Sequence, residues 1–96
     1  MKLKKLFSLD EMDFDKEKGL IPVIVQDSES KQVLSLAYVD REALKQTIKS
    51  GFTHFYRRTF GRVMKKGESS GNIQEIIDIL VDCDNDALLF LVKPKG

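Results

Sequence analysis

The stretch IQEIIDILVDCDNDALLFLV, residues 73 to 92, has two apolar runs of strand length on either side of an acidic cluster. From Ile73 to Cys83 the side chains alternate as they would along an extended strand. One face would carry Ile77, Ile79, Val81 and Cys83, and the other Ile76, Asp78, Leu80 and Asp82. Because Asp84 to Asp86 are typical turn residues, the run Ala87 to Val92 is predicted to return antiparallel to the first strand.

The preceding sequence predicts more strands and one helix. Leu20 to Gln26 and Val33 to Val39 are β-prone runs separated by a polar stretch, which suggests a second hairpin. A helix is predicted over Arg41 to Ser50, because Asp40 is a good N-cap and Gly51 is a typical C-terminal stop.

The remaining segments complete the prediction of fold and domains. Phe52 to Thr59 is aromatic and β-prone, Arg62 to Lys65 is expected to pair with it, and a glycine and serine loop follows. Residues 1 to 19 lack clean periodicity and are predicted to form an N-terminal arm, with one domain over residues 20 to 96. The expected class is α+β, with a β-rich, mostly antiparallel, partly open barrel-like sheet and one main helix.

Composition argues against several partners. With 16 basic and 15 acidic residues the net charge is +1, so nothing favours nucleic acid as a partner. No stretch approaches the roughly 20 apolar residues that span a bilayer, and no secretory signal is recognisable, so a membrane partner is not expected either. Cys83 is the sole cysteine, and a cytoplasmic location is expected because a lone thiol suits a reducing compartment.

The first candidate site is the acidic cluster Asp82, Asp84 and Asp86. Carboxylates this close repel one another, and a hard divalent cation would relieve the repulsion. On a strand, Asp82 and Asp84 would share one side while the Cys83 thiol would face the other, where it would suit a softer ion such as zinc. The alternative is a plain hairpin turn with Cys83 as a small buried apolar residue.

The second candidate is KKGESSGN, residues 65 to 72, which combines cations, hydroxyls and flexible backbone amides. Such groups bind phosphate, although the spacing is not that of a Walker motif. The alternative is a solvated turn.

Aromatic and basic residues alternate shortly before this loop. Phe55, Tyr56 and Phe60 lie near Arg57, Arg58 and Arg62. This pattern suits a nucleobase stacked on a ring with arginines on phosphate, or else core rings with surface arginines. The sole histidine, His54, is expected to have a structural role, since no nucleophile motif supports a Ser-His-Asp triad.

Four stretches together resemble one enzyme family in order and spacing: DFDKEKGLIPVIVQD at 13 to 27, LAYVDREAL at 36 to 44, KKGESSGNIQ at 65 to 74 and VDCDNDALL at 81 to 89. The family is phosphoribosyl-AMP cyclohydrolase, of histidine biosynthesis. The resemblance implies hydrolytic opening of the purine ring of phosphoribosyl-AMP between N1 and C6, with zinc and magnesium as cofactors. Zinc would lower the pKa of a bound water that attacks C6, while magnesium would help to hold the phosphorylated nucleotide.

The resemblance also implies roles for particular residues. Asp82, Asp84 and Asp86 match the magnesium-binding aspartates, and Cys83 matches one zinc-binding cysteine. The predicted substrate-binding residues are Arg58, Lys65, Lys66, Gly67, Ser69, Ser70, Gly71 and Asn72. Because members of the family are homodimers with zinc ligands from both subunits, a homodimer is expected.

The sequence departs from the family pattern at several positions. The family usually continues into a Cys-His and a second Cys, whereas this sequence ends at Gly96, so we expect an incomplete zinc site and impaired catalysis. The usual Ser-Arg-Ser-Arg is replaced by RRTF at residues 57 to 60, and Met64 stands where an aromatic is common. The alternatives are a non-catalytic homologue that binds a nucleotide or a metal, and a dimeric scaffold with no ligand.

Overall fold

The computed structural model describes residues 3–6, 8–15 and 18–95. Its elements are β1 (Lys4–Lys5), a short 3₁₀ helix (Leu9–Glu11), β2 (Ile21–Asp27), β3 (Val33–Val39), α1 (Arg41–Ser50), β4 (His54–Arg57), β5 (Arg62–Lys65), β6 (Ile73–Val81) and β7 (Leu88–Lys95). No helix in the described part of the chain has the length and apolar character needed to cross a membrane.

Five of the strands form one sheet in the order β1-β6-β7-β2-β3, and β4 pairs with β5 in a separate hairpin. The three predicted hairpins are antiparallel, as expected. The β2–β7 pair is parallel, which the sequence did not indicate. The α+β prediction is confirmed, and the mixed sheet stays open and does not close into a barrel.

The helix has the predicted ends. The Asp40 carboxylate accepts a hydrogen bond from the Ala43 N–H at 2.7 Å, and Gly51 ends the helix in the left-handed region at φ 80°. The Thr47 hydroxyl donates to the Ala43 carbonyl and also accepts from the His54 N–H at 2.9 Å. This buried threonine therefore joins α1 to β4.

The predicted face pattern of β6 is wrong in two respects. Its pairing with β7 shifts between Ile76 and Asp78, which leaves Ile77 about half exposed while Ile76 and Ile79 pack against the core. A bulge of this kind reverses the inward and outward parity of the residues on either side of it. The strand also ends at Val81, so Asp82 and Cys83 belong to the following turn.

The core lies between the larger sheet and α1. Its largest fully buried side chains include Phe90 of β7, Ile21 and Val23 of β2, and Leu44 of α1. The segment predicted as an N-terminal arm contributes Met12 to this core, and β1 pairs with the end of β6.

The topology separates the two candidate sites. Strand β6 ends, and β2 and β7 begin, at the edge of the sheet that carries residues 82 to 87. The glycine loop enters β6 at its other end. With nine residues in β6 and a rise of about 3.3 Å per residue, the two ends of this strand lie roughly 26 Å apart.

Candidate functional site

The acidic cluster lies in a compact turn between β6 and β7. One oxygen of the Asp82 carboxylate accepts hydrogen bonds from the backbone N–H groups of Asp86 and Ala87, at 3.1 and 3.3 Å. Asn85 adopts a left-handed conformation at φ 60°, and its carbonyl accepts from the Asp13 N–H at 2.9 Å. The turn is thus held by its own first residue and by the N-terminal segment.

This turn brings the three predicted carboxylates together. Asp82, Asp84 and Asp86 each offer one oxygen, and these oxygens lie within 4.8 Å of one another. The sequence alone predicts that Asp82 and Asp84 lie on one side of a strand. In the structure the strand ends at Val81, and the turn after it brings the carboxylates together. Magnesium takes oxygen ligands at about 2.0–2.1 Å, so opposite ligands stand roughly 4.2 Å apart. Three carboxylates at this spacing fit such a cation after a small inward movement.

Cys83 does not behave as a buried apolar residue, because it is exposed. Within residues 3–6, 8–15 and 18–95, the acidic triad is the only group of three or more His, Cys, Asp or Glu side chains that could hold a metal. His54 lies on β4, where its Nδ1 is 3.0 Å from the Phe52 carbonyl oxygen. Among the described residues, the Cys83 thiol therefore belongs to no group of three or more such ligands.

The glycine loop is also compact. The Gly71 N–H donates to the Gly67 carbonyl at 2.8 Å, and the Asn72 N–H donates to the Ser70 hydroxyl at 3.2 Å. Glu68 forms an ion pair with Arg62 at 3.0 Å, and the hydrogen bond from Arg62 lowers the pKa of the Glu68 carboxyl below its usual value. The predicted substrate residues from Lys65 to Asn72 thus remain neighbours in one folded loop.

A cleft beside this loop lies between β3 and β4 at one end, and between β3 and the start of β6 at the other. Two cavities of about 310 and 360 Å³ share the residues Ser35, Lys66 and Gln74, and we call this region the β3–β4 cleft. Arg58 lines the first cavity with its guanidinium 4.4 Å from the centre of the Tyr38 ring, and Asn72 lines the second. The cleft thus gathers three of the predicted substrate residues.

Sequence reasoning missed Tyr38, Thr53 and Gln74 as residues of this cleft. A signal for Gln74 was present, since it is a polar residue at an alternating position of an apolar strand. The contact between Tyr38 and Arg58 joins positions 20 apart in sequence and has no local signature. Arg57 packs instead on the rings of Phe55 and Phe60, at 5.6 Å from each ring centre.

Comparisons with known proteins bear on this arrangement. The sequence profile of the phosphoribosyl-AMP cyclohydrolase family matches residues 35–96. The phosphoribosyl-AMP cyclohydrolase of Archaeoglobus fulgidus is 56% identical over 86 residues, which are 90% of this chain and 79% of that protein. The chain belongs to the phosphoribosyl-AMP cyclohydrolase family. This finding confirms the resemblance seen in the sequence.

Other relatives of this cyclohydrolase family member differ in length. The phosphoribosyl-AMP cyclohydrolase of Nitrosopumilus maritimus is 52% identical over 89 residues, 93% of this chain and 82% of that protein. The histidine biosynthesis bifunctional protein HisIE of Pyrococcus furiosus is 51% identical over all 96 residues, and the chain spans 44% of its length. The matched region is therefore part of a longer protein in at least one relative.

Proposed function

We propose that this cyclohydrolase family member opens the purine ring of phosphoribosyl-AMP by hydrolysis between N1 and C6, in histidine biosynthesis. The observation that carries the proposal is the meeting of Asp82, Asp84 and Asp86 in one turn of a chain that belongs to this family. The cytoplasm, where such a biosynthetic enzyme would meet its substrate, is the location we propose.

Magnesium would be held by the three carboxylates of the acidic turn. The fit is supported by their spacing and by the backbone N–H groups that fix the Asp82 carboxylate. Cys83 would supply one zinc ligand, and the others would have to come from beyond the described residues of one chain. When bound, zinc supplies the Lewis acidity that activates water for attack at C6.

A homodimer would allow the two candidate sites to act on one substrate. Within one chain, the acidic turn and the glycine loop lie at opposite ends of β6. A second copy, related by a two-fold axis that runs across the strands, would bring its glycine loop towards the acidic turn of the first. We therefore propose that the complete site contains residues from both copies.

The outer face of the larger sheet supports this dimer. Leu80, Leu89, Ile24 and Leu36 are register partners across four neighbouring strands. Ile24 and Leu36 are 37% and 60% exposed, respectively. Ile24 lies between Val23 and Val25, which are buried on the opposite face, so this row faces away from the core. A second copy of the chain could bury an exposed apolar row of this kind.

The test is a hydrolysis assay on phosphoribosyl-AMP with zinc and magnesium, followed by the absorbance change of ring opening. It compares the 96-residue chain with the same chain extended by a Cys-His and Cys segment typical of the family. We expect ring opening by the extended chain, a much lower rate for the 96 residues alone, and a loss in the extended Asp84→Ala variant. A folded, zinc-loaded extended chain without activity would reject the proposed reaction.

The same experiment addresses the alternative of a non-catalytic homologue. The replacement of the usual Ser-Arg-Ser-Arg by RRTF favours this alternative, since Arg57 is engaged by two rings and Phe60 is 61% exposed. Calorimetric binding of magnesium or a nucleotide monophosphate, lost in Asp84→Ala and without turnover in any form, would support it.

A further inference from the structure

The β3–β4 cleft has a one-sided charge. Four cationic side chains line its two cavities, and no aspartate or glutamate of the described chain does; they are Arg57, Arg58, Lys66 and Lys95. Lys95 is paired with Glu75 at 3.3 Å. Arg58 and Lys66 have no carboxylate within 4 Å among the residues that the structure describes. The same holds for Arg57, so three cations are available to an anionic ligand.

Arg58 and Lys66 have contacts other than a carboxylate. The Arg58 guanidinium lies 4.4 Å from the centre of the Tyr38 ring, which orients it by a cation–π contact. The backbone N–H of Lys66 donates to the Thr53 carbonyl at 2.9 Å, which ties this residue to the wall of the cleft. The Arg58 guanidinium, oriented in this way, loses little freedom when an anion binds.

The floor of the cleft carries a polar side chain without a partner. Gln74 is only 7% exposed and lines both cavities. Its backbone carbonyl accepts from the Thr53 N–H at 3.0 Å, but its side-chain amide has no hydrogen-bond partner among the described residues. The rest of the residue is buried, so the small surface that remains accessible faces the cleft.

The neighbouring Thr53 is buried more deeply. It is 2% exposed, and its hydroxyl oxygen is buried without a hydrogen-bond partner among the residues that the structure describes. Buried polar groups in folded proteins nearly always have a partner. The Thr53 oxygen lies too deep for a ligand to reach, whereas the Gln74 amide keeps some surface in the cleft and can be reached. An amide both donates and accepts, as does a sugar hydroxyl, whereas the oxygens of an ionised phosphate monoester only accept.

We propose that the β3–β4 cleft binds a ribose phosphate, with the phosphate on Arg58 and Lys66 and a ribose hydroxyl on the Gln74 amide. Gln74 is then the residue that distinguishes a sugar phosphate from phosphate alone. The choice of a sugar phosphate rests on the proposed function, because phosphoribosyl-AMP carries two phosphorylated riboses. Cavities of about 310 and 360 Å³ lie at the lower end of the range for ligand pockets, about 300–1,000 Å³.

The test is calorimetric titration of the purified chain with ribose 5-phosphate and, separately, with inorganic phosphate. We expect the chain to bind ribose 5-phosphate more tightly than inorganic phosphate. Gln74→Met should lower the affinity for ribose 5-phosphate by about tenfold and leave the affinity for inorganic phosphate unchanged. Lys66→Met should lower the affinity for both ligands. Gln32→Leu, at an exposed position in the β2–β3 turn, is the matched control and should bind both as the unsubstituted chain does.

Three results would overturn the inference: no binding of ribose 5-phosphate, equal affinity for the two ligands, or unchanged affinity in Gln74→Met. If Gln74→Met fails to fold, Gln74→Glu replaces it, because glutamate has nearly the same shape as glutamine. This variant must lower the affinity for both ligands, since it adds negative charge beside the phosphate. Unchanged binding there would also overturn it. The titration involves no turnover, so binding without ring opening rejects only the proposed reaction, and ring opening without this binding rejects only the cleft.

Discussion

Gly67 approaches Asn72 so closely that no side chain fits between them. A β-carbon at position 67 would lie 2.6 Å from the carbonyl carbon and oxygen of Asn72. The backbone at Gly67 also has a φ of 84°, which favours glycine. The neck of the glycine loop therefore depends on this residue for two separate reasons, close approach and conformation.

Gly67→Ala is expected to destabilise the fold by roughly 2–3 kcal/mol or more, as left-handed strain and a backbone collision add together. Gly71→Ala is the matched control, because Gly71 has a φ of 81° in the same loop but no described atom within 4 Å of its added β-carbon. It should lose only the strain, about 1–2 kcal/mol. Urea unfolding of both variants measures the difference, and equal losses would contradict the collision.

Much of the fold was predictable because it depends on local patterns. The helix between Asp40 and Gly51 has a cap and a stop that lie next to it in sequence, and both act as predicted. The hairpins follow from β-prone runs with turn residues between them. The parallel pairing of β2 with β7 was not predictable in this way, since it joins segments about 65 positions apart in sequence.

The candidate site was predictable in its residues but not in its geometry. Asp82, Asp84 and Asp86 do meet, yet the turn that follows Val81 brings them together, because the strand ends earlier than its alternation suggested. No residue type in the sequence marks the bulge near Ile77, and for this reason the predicted assignment of residues to the two faces of β6 was wrong. Gln74 was missed because its significance depends on its burial and on the lack of a hydrogen-bond partner for its side chain in the described part of the chain.

Asp40→Ala is expected to cost about 1 kcal/mol, as its carboxylate is the N-cap of α1. The lost contact is the 2.7 Å hydrogen bond from the Ala43 N–H. Asp40→Asn should retain most of the stability, since an asparagine oxygen also accepts this bond. Thermal unfolding followed by circular dichroism compares them, and equal losses in the two variants would contradict a capping role.

The Glu68 carboxyl should titrate below its usual pKa of 4.5, chiefly because Arg62 donates a hydrogen bond to it. A lowered folded pKa means that this charge contributes stability above the unfolded pKa, and that the contribution is lost as pH falls through the folded pKa. An NMR titration of the carboxyl carbon measures it. Arg62→Gln should raise the pKa, and Arg58→Gln, which lies over Tyr38 instead, should not. A normal pKa in the unsubstituted chain would contradict the ion pair.

Magnesium should raise the unfolding temperature of the chain, because a cation that binds only the folded turn stabilises it by mass action. Asp84→Asn should abolish this rise. In the absence of magnesium the same variant should be at least as stable as the unsubstituted chain, since one of three mutually repelling carboxylates is gone. Asp15→Asn, an exposed position outside the acidic turn, is the control and should keep the magnesium response. A full response in Asp84→Asn would exclude the turn as the binding site.

Leu36→Glu is expected to convert the proposed dimer into monomers, because it places a charge in the apolar row that includes Ile24 and Leu89. Ile77→Glu is the matched control: Ile77 is an isoleucine of similar exposure, 52% against 60%, that lines a different groove beside α1. Sedimentation should show a dimer for the unsubstituted chain and for Ile77→Glu. If Ile77→Glu dissociates while Leu36→Glu does not, the interface lies beside α1, and the glycine loop would need another route to the acidic turn of its partner.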